Sequence, residues 1–251
     1  MMLALEFPSV PHLTIWPTIF GEDWWAVNKV VLMFWAAAII VIGFFILASK
    51  RGLVPTGVQN LGEMAVEFIE NGIIRQTMGA DGLSFAPFLL TLFTFILTLN
   101  VVGLLPGVQM PANARIALPM FMAVVVWLVY VSVGVVKQGP FGYLKSILLP
   151  PGVPLLIRPL VALIEFISVL FVRPFALMVR LFANLLAGHL ILVSFAVLSA
   201  ALWESTKIFA IAPMALLVAL TGFELLVAFL QAYIFTILAS VFIGEAMHPH
   251  H

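Results

Sequence analysis

Six polar side chains lie inside long apolar runs in the last third of the sequence: Glu165, Arg173, Arg180, His189, Glu224 and Gln231. An ionisable group at mid-bilayer costs at least about 2.5–3.5 kcal/mol on insertion scales, so such groups mark ion paths or partner contacts. The chemistry open to them is proton transfer and ion pairing. Arg180 and Asn184 are one helical turn apart and share a face, whereas His189, nine residues beyond Arg180, points the opposite way. Glu224 and Gln231, seven apart, share a face of a second stretch. If the two stretches fold back antiparallel, facing residues have position numbers with a constant sum. Arg180 and Gln231 give 411, and His189 and Glu224 give 413. Half of either is about 206, inside the polar segment Trp203-Glu204-Ser205-Thr206-Lys207. The fold-back therefore sets Gln231 level with Arg180 and Glu224 level with His189.

Each group also has a plainer reading. His189 by itself fits a satisfied core histidine; level with Glu224 it becomes half of a proton relay. Arg173 precedes Pro174 and reads either as a snorkelling interfacial arginine or as a path residue. Glu165, eight residues earlier and about a quarter-turn away on a regular helix, reads as a structural partner of Arg173 or as part of that path. Arg180 has no acid level with it in the fold-back, which puts its counter-charge on another chain. Other chemistries find no support. The sequence has no GxxxxGK[ST] or HExxH pattern, no cysteine, and aspartate only at Asp23 and Asp81. No ATP-binding site, cofactor or metal is expected, and His248, His250 and His251 read as a solvated tail.

The elements that must position these groups follow from composition. Of 251 residues, 64% are hydrophobic and 9% charged, against roughly 45–50% apolar and 25% charged in soluble chains. Eleven Lys and Arg balance eleven Asp and Glu, which excludes a polybasic nucleic-acid binder. The apolar runs are continuous and do not alternate, so helices and not a β-barrel are expected. Val30–Leu47, Phe85–Leu105 and Ile116–Val136 are each long enough to span a bilayer. Residues 55–79 mix apolar residues with Glu63, Glu67 and Glu70 on one face, which predicts an amphipathic helix at the membrane surface or against a partner, its carboxylates solvated. The 49 residues from Pro154 to Leu202 would make one helix of about 73 Å, far beyond a bilayer core of roughly 30 Å.

The fold class expected is an all-α membrane protein with about three ordinary spanning helices, an amphipathic surface helix, and a long, steeply tilted C-terminal helical hairpin. Its parts are an external N-terminal arm over 1–29 with Trp24 and Trp25 at the interface, spanning helices within 30–153, the hairpin over 154–245, and a cytoplasmic tail over 246–251. Lys50, Arg51, Arg75, Lys137 and Lys145 fall on one side of the membrane against Lys29 and Arg115 on the other. The N-terminus is therefore expected outside and the C-terminus in the cytoplasm.

Arg180-Leu181-Phe182-Ala183-Asn184-Leu185-Leu186-Ala187-Gly188-His189 resembles the signature of subunit a of bacterial F-type ATP synthases. Asn100-Val101-Val102-Gly103-Leu104-Leu105-Pro106-Gly107 resembles the end of that family's second span, and Leu230-Gln231-Ala232-Tyr233-Ile234-Phe235 its last helix. The likeness runs over roughly 30–245. It implies a non-catalytic stator subunit of the CF(0) membrane sector, set against a rotating ring of c subunits. Further implied partners are b-type stalk subunits, indirectly the F1 ATPase sector, and the bilayer of the plasma (inner) membrane. Arg180 matches the essential arginine, with Gln231 across the hairpin and Asn184 in the same signature. His189 and Glu224 fall on the external proton path, and Glu165 and Arg173 near the cytoplasmic exit. Two departures stand out. Many members have a carboxylate where this chain has Asn113-Ala114-Arg115, and the interval from Glu165 to Arg180 is one residue longer, which calls for a helix bulge. The rival reading, a stand-alone ion channel or secondary transporter, predicts paired repeats with broken helices, and the sequence has no internal repeat.

Overall fold

The first apolar run becomes helix α1, Lys29–Ala48, whose 20 residues extend about 30 Å, one hydrocarbon core thick. In the computed structural model the described residues are 29–49, 56–105, 116–148, 154, 157–205 and 207–247. The N-terminal arm with Trp24 and Trp25, the Asn113-Ala114-Arg115 segment and the histidine tail lie outside them. Helix α1 buries only a narrow stripe, Met33, Ala37 and Val41 at four-residue intervals, and leaves Trp35, Ile39, Ile42 and Ile46 exposed. With lipid as the solvent, those outward side chains are already in their preferred medium.

Helix α2 (Val58–Ile69) continues through a π-turn, Glu70–Ile74, into a last turn, Arg75–Thr77. Glu63 and Glu67 are exposed as expected, but the apolar face is sunk into the protein itself. Ile69, Ile73 and Ile74 are completely covered. The Thr77 hydroxyl meets that of Ser240 at 2.5 Å. Gly62 lets the helix approach the end of α1, because a Cβ there would stand 2.7 Å from that of Ala48.

A 3-10 segment, Ala80–Phe85, leads into α3, Ala86–Leu104. Thr91, Thr94 and Thr98 return their hydroxyls to carbonyls four residues back, which satisfies them without water. Helix α4, Ala117–Gln138, is followed after Gly139 (φ 74°) by a short helix, α5, Pro140–Leu148. No periodicity in the 137–153 loop pointed to α5. It is fixed by packing, for a side chain on Gly134 of α4 would collide with the Tyr143 ring.

The last third is the expected pair of long helices. Arg158–Ile167 (α6), a π-turn Ser168–Val172 and Arg173–Ser205 (α7) form one arm, and Lys207–Met247 (α8) the other. The 41 residues of α8 extend about 60 Å, twice the hydrocarbon core, so it is steeply inclined or bent. Pro213 lies inside it. Among the described residues there is no strand, and five helical segments are long and apolar enough to cross a membrane. Helix α8 is the hub, packing against α7, α3, α4 and the end of α2. Its fully covered Ala228, Ala232, Phe235, Ala239 and Ile243 centre the core. Gln138 Nε2 caps the Ala246 carbonyl at 3.0 Å, one of the carbonyls a helix end leaves without a partner.

Candidate functional site

The face α7 turns inward is set by Leu177, Leu181 and Leu185 at four-residue steps, all essentially inaccessible, and His189 takes the next step at 7% exposure. That stripe puts Arg180 on the other side. Arg180 is exposed, and among the described residues no carboxylate pairs with it. One turn on, Asn184 Nδ2 donates to Gln231 Oε1 at 3.3 Å. Gln231 is 3% exposed and its Nε2 has no hydrogen-bond partner among the described residues.

Across the hairpin, Glu224, Ala228, Gln231 and Phe235 form the buried stripe of α8. Glu224 fits a gap that exists only because residue 188 is glycine: a Cβ there would stand 2.5 Å from Glu224 Oε1. The carboxyl group thus lies against the residue preceding His189. It is 5% exposed, and neither oxygen has a hydrogen-bond partner among the described residues. A buried, unpartnered carboxyl is costly to keep charged and is an atypical finding in native structures. Asn100 of α3, fully buried, donates to the Ala228 carbonyl at 3.3 Å, one turn beyond Glu224. An amide inside an apolar run was the available signal for it.

Position-number matching set Gln231 level with Arg180 and Glu224 level with His189; the structure bonds Gln231 to Asn184, one turn from Arg180, and sets Glu224 beside Gly188, the residue before His189. Gly188→Ala is expected to destabilise the hairpin by about 1–3 kcal/mol through overpacking. The check is the unfolding midpoint of the solubilised protein. Gly142→Ala, where the nearest atom to the new Cβ is 3.5 Å away, serves as control. Equal midpoints in the two variants would mean that the Glu224 gap is loose.

A second cluster forms at the far end of the hairpin. Arg173 Nη2 donates to Glu165 Oε1 at 2.9 Å and Nη1 to Glu245 Oε2 at 2.5 Å. The guanidinium carbon lies 5.1 Å from the centroid of the Phe242 ring, a cation–π contact. The structure thus holds Arg173 in two ion pairs. The expected bulge between Glu165 and Arg180 is the π-turn Ser168–Val172. It explains the pairing. Eight residues on a regular helix leave two side chains about 80° apart, but a π-turn absorbs one, and seven leave them about 20° apart. Glu245 was not foreseen as a site residue, because at the end of an apolar run it read only as a boundary. Among the described residues no three His, Asp or Glu side chains gather as a metal site.

Comparison with known proteins agrees with this architecture. Residues 31–244 match the ATP synthase A chain family. The chain is 42% identical over 228 residues to ATP synthase subunit a of Frankia alni, covering 89% of this chain and 79% of that protein. It is 40% identical over 242 residues to the subunit a of Maricaulis maris, 92% of each. The corresponding protein of a Chelativorans species is 42% identical over 236 residues, 93% of each.

Proposed function

The chain belongs to the ATP synthase subunit a family, multi-pass membrane subunits of the CF(0) sector, and from that premise we propose how it passes protons. The observation that carries the proposal is Arg180, an exposed guanidinium on the outer face of the hairpin with no carboxylate partner among the described residues. In an apolar surrounding such a charge is stable only against a partner of opposite sign. The partner is the mid-membrane carboxylate of a c subunit, presented as the c-ring turns past the hairpin.

Two offset half-channels reach that carboxylate, each open to one side. From outside, the proton passes His189 and Glu224, with Asn184 and Gln231 lining the last step before Arg180. A ring carboxylate neutralised there can enter lipid and ride almost a full turn. It releases its proton toward the cytoplasm near Glu165 and Arg173. The N-terminus is then external and the C-terminus cytoplasmic, in the plasma membrane. The b-type stalk holds the subunit still against rotation.

Arg180 does two things in this scheme. Arginine has only donors to offer and no exchangeable acceptor, so it cannot serve as a proton wire between the half-channels. At about 4 Å and an effective dielectric near 20, it stabilises a facing carboxylate by roughly 4 kcal/mol. That corresponds to about three pKa units, enough to drive off the incoming proton. Each proton crossing delivers about 2.3 kcal/mol per 100 mV of membrane potential to rotation. Lysine offers an adjustable pKa and a single point charge in place of the planar fork. Arg180→Lys is therefore expected to lower ATP-driven pumping by at least about ten-fold in vesicles containing the whole complex. Wild-type coupled turnover in that variant would overturn the requirement for a permanent charge.

A further inference from the structure

The π-turn Ser168–Val172 is followed, after Arg173, by a proline. Pro174 has no N–H. A regular α-helix through Pro174 would leave the Leu170 carbonyl, four residues back, without a donor. In the π-turn the donors shift by one, and the Arg173 N–H bonds the Ser168 carbonyl, five residues back. In that register Pro174 would have served the Val169 carbonyl, five residues back, and having no N–H leaves it without that donor; the return to α spacing skips one carbonyl more. Proline orphans one carbonyl in either register, and the register decides which.

Val169 is buried, and its carbonyl does not stay orphaned. Tyr130 of α4 donates its hydroxyl to it at 2.5 Å. The Tyr130 ring, 1% exposed, stands edge-on to Phe242 at 5.9 Å, the same ring that carries the Arg173 guanidinium. No other described side chain donates to either carbonyl of this turn. The hydroxyl therefore favours the register that orphans Val169 over the one that orphans Leu170.

We propose that Tyr130 is a positioning residue for the cytoplasmic exit: by supplying the donor Pro174 lacks, it holds the hairpin in the π register that turns Glu165 onto Arg173. In the α register Glu165 stands about 80° from Arg173 and the pair opens. Arg173 then keeps Glu245 and Phe242 alone. The inference rests on the reading that Glu165 and Arg173 line the exit path.

The test uses the complete ATP synthase in inverted membrane vesicles. Tyr130→Phe keeps the ring and its contact with Phe242 and removes only the donor. The chain is expected to assemble at the wild-type level, with ATP-driven acidification lowered about ten-fold, the change equivalent to about 1.4 kcal/mol. The second variant combines Tyr130→Phe with deletion of Leu170. This leaves Glu165 and Arg173 seven residues apart, on one face of an uninterrupted α-helix without help from any hydroxyl. Acidification is expected to recover. The shortened helix still orphans a carbonyl before Pro174, so recovery reports the register and not the number of hydrogen bonds. Normal acidification in Tyr130→Phe overturns the inference, and so does a defect that the deletion leaves unrepaired. Arg173→Ala in the same vesicles tests the underlying reading. If it pumps normally, the exit path is elsewhere and the role given to Tyr130 falls with it. If it is impaired while Tyr130→Phe is not, only the inference about Tyr130 fails.

Discussion

Replacing Arg180 by alanine is expected to abolish ATP-driven acidification of inverted vesicles while leaving passive proton leak intact or raising it. The two readouts part because in the proposed scheme the arginine contributes to both release and separation. Without its charge, a ring carboxylate facing the hairpin loses roughly 4 kcal/mol of stabilisation of its ionised form. Proton release then slows by about a thousand-fold, since each 1.36 kcal/mol is a factor of ten. The same deletion removes the fixed positive charge that the scheme sets between the two proposed half-channels. After the peripheral ATPase is stripped, protons should cross at least as fast as in the wild type. The exposed position of Arg180, away from the core stripe of Leu177, Leu181 and Leu185, makes misfolding an inadequate explanation of either result. Normal pumping by Arg180→Ala would reduce the arginine to a structural residue.

Glu224→Gln should give the opposite pairing of readouts, with pumping and passive leak falling together. The substitution keeps shape and volume, so the gap opposite Gly188 stays filled. It removes the group that, on the proposed external path, takes up and passes on a proton. Leak through the stripped membrane sector should drop by about ten-fold or more, the lower range of what a positioned proton-transfer group contributes. Because the carboxyl group has no hydrogen-bond partner among the described residues, the amide breaks no native contact there. An unchanged leak would mean that protons enter by another route and that Glu224 is merely accommodated. Gly188→Ala crowds the same gap, and the two variants together separate loss of the proton-carrying group from displacement of it.

Much of this was readable in the sequence because the bilayer imposes so few solutions. Apolar runs of about twenty residues must be helices, and their ends were placed within a few residues of α1, α3 and α4. The excessive length of 154–202 announced the hairpin. Arithmetic on Arg180, His189, Glu224 and Gln231 brought the right stretches together, to within a turn. What it missed depends on side-chain volume and on donors outside the motif. The sums set Glu224 level with residues 188 and 189, but that the carboxyl group lies close against position 188 depends on the missing Cβ there. The pairing of Arg173 with Glu165 was obscured by counting α-helical angles across a segment that is not α-helical. The contacts of Tyr130 and Glu245 come from α4 and the end of α8, far in sequence from the signature. The amphipathic face of α2 was visible, but that α1, α3 and α8 cover it and its continuation was not, since periodicity tells which face is buried and not what buries it.

The helix that organises this core is synthesised after every helix it touches. While α1 to α7 leave the ribosome, Ile69, Ile73 and Ile74 lack the part of their cover that α8 supplies, and Asn100 lacks the carbonyl it bonds. The Asn184 amide and the pocket beside Gly188 await the same 41 residues. The early helices can enter the bilayer one at a time, since each satisfies its own backbone, but they form a loose set until α8 threads among them. Quality control in the cell would meet the chain in that state, and a nascent chain halted before Lys207 should be a substrate for membrane proteases and not a partly working subunit.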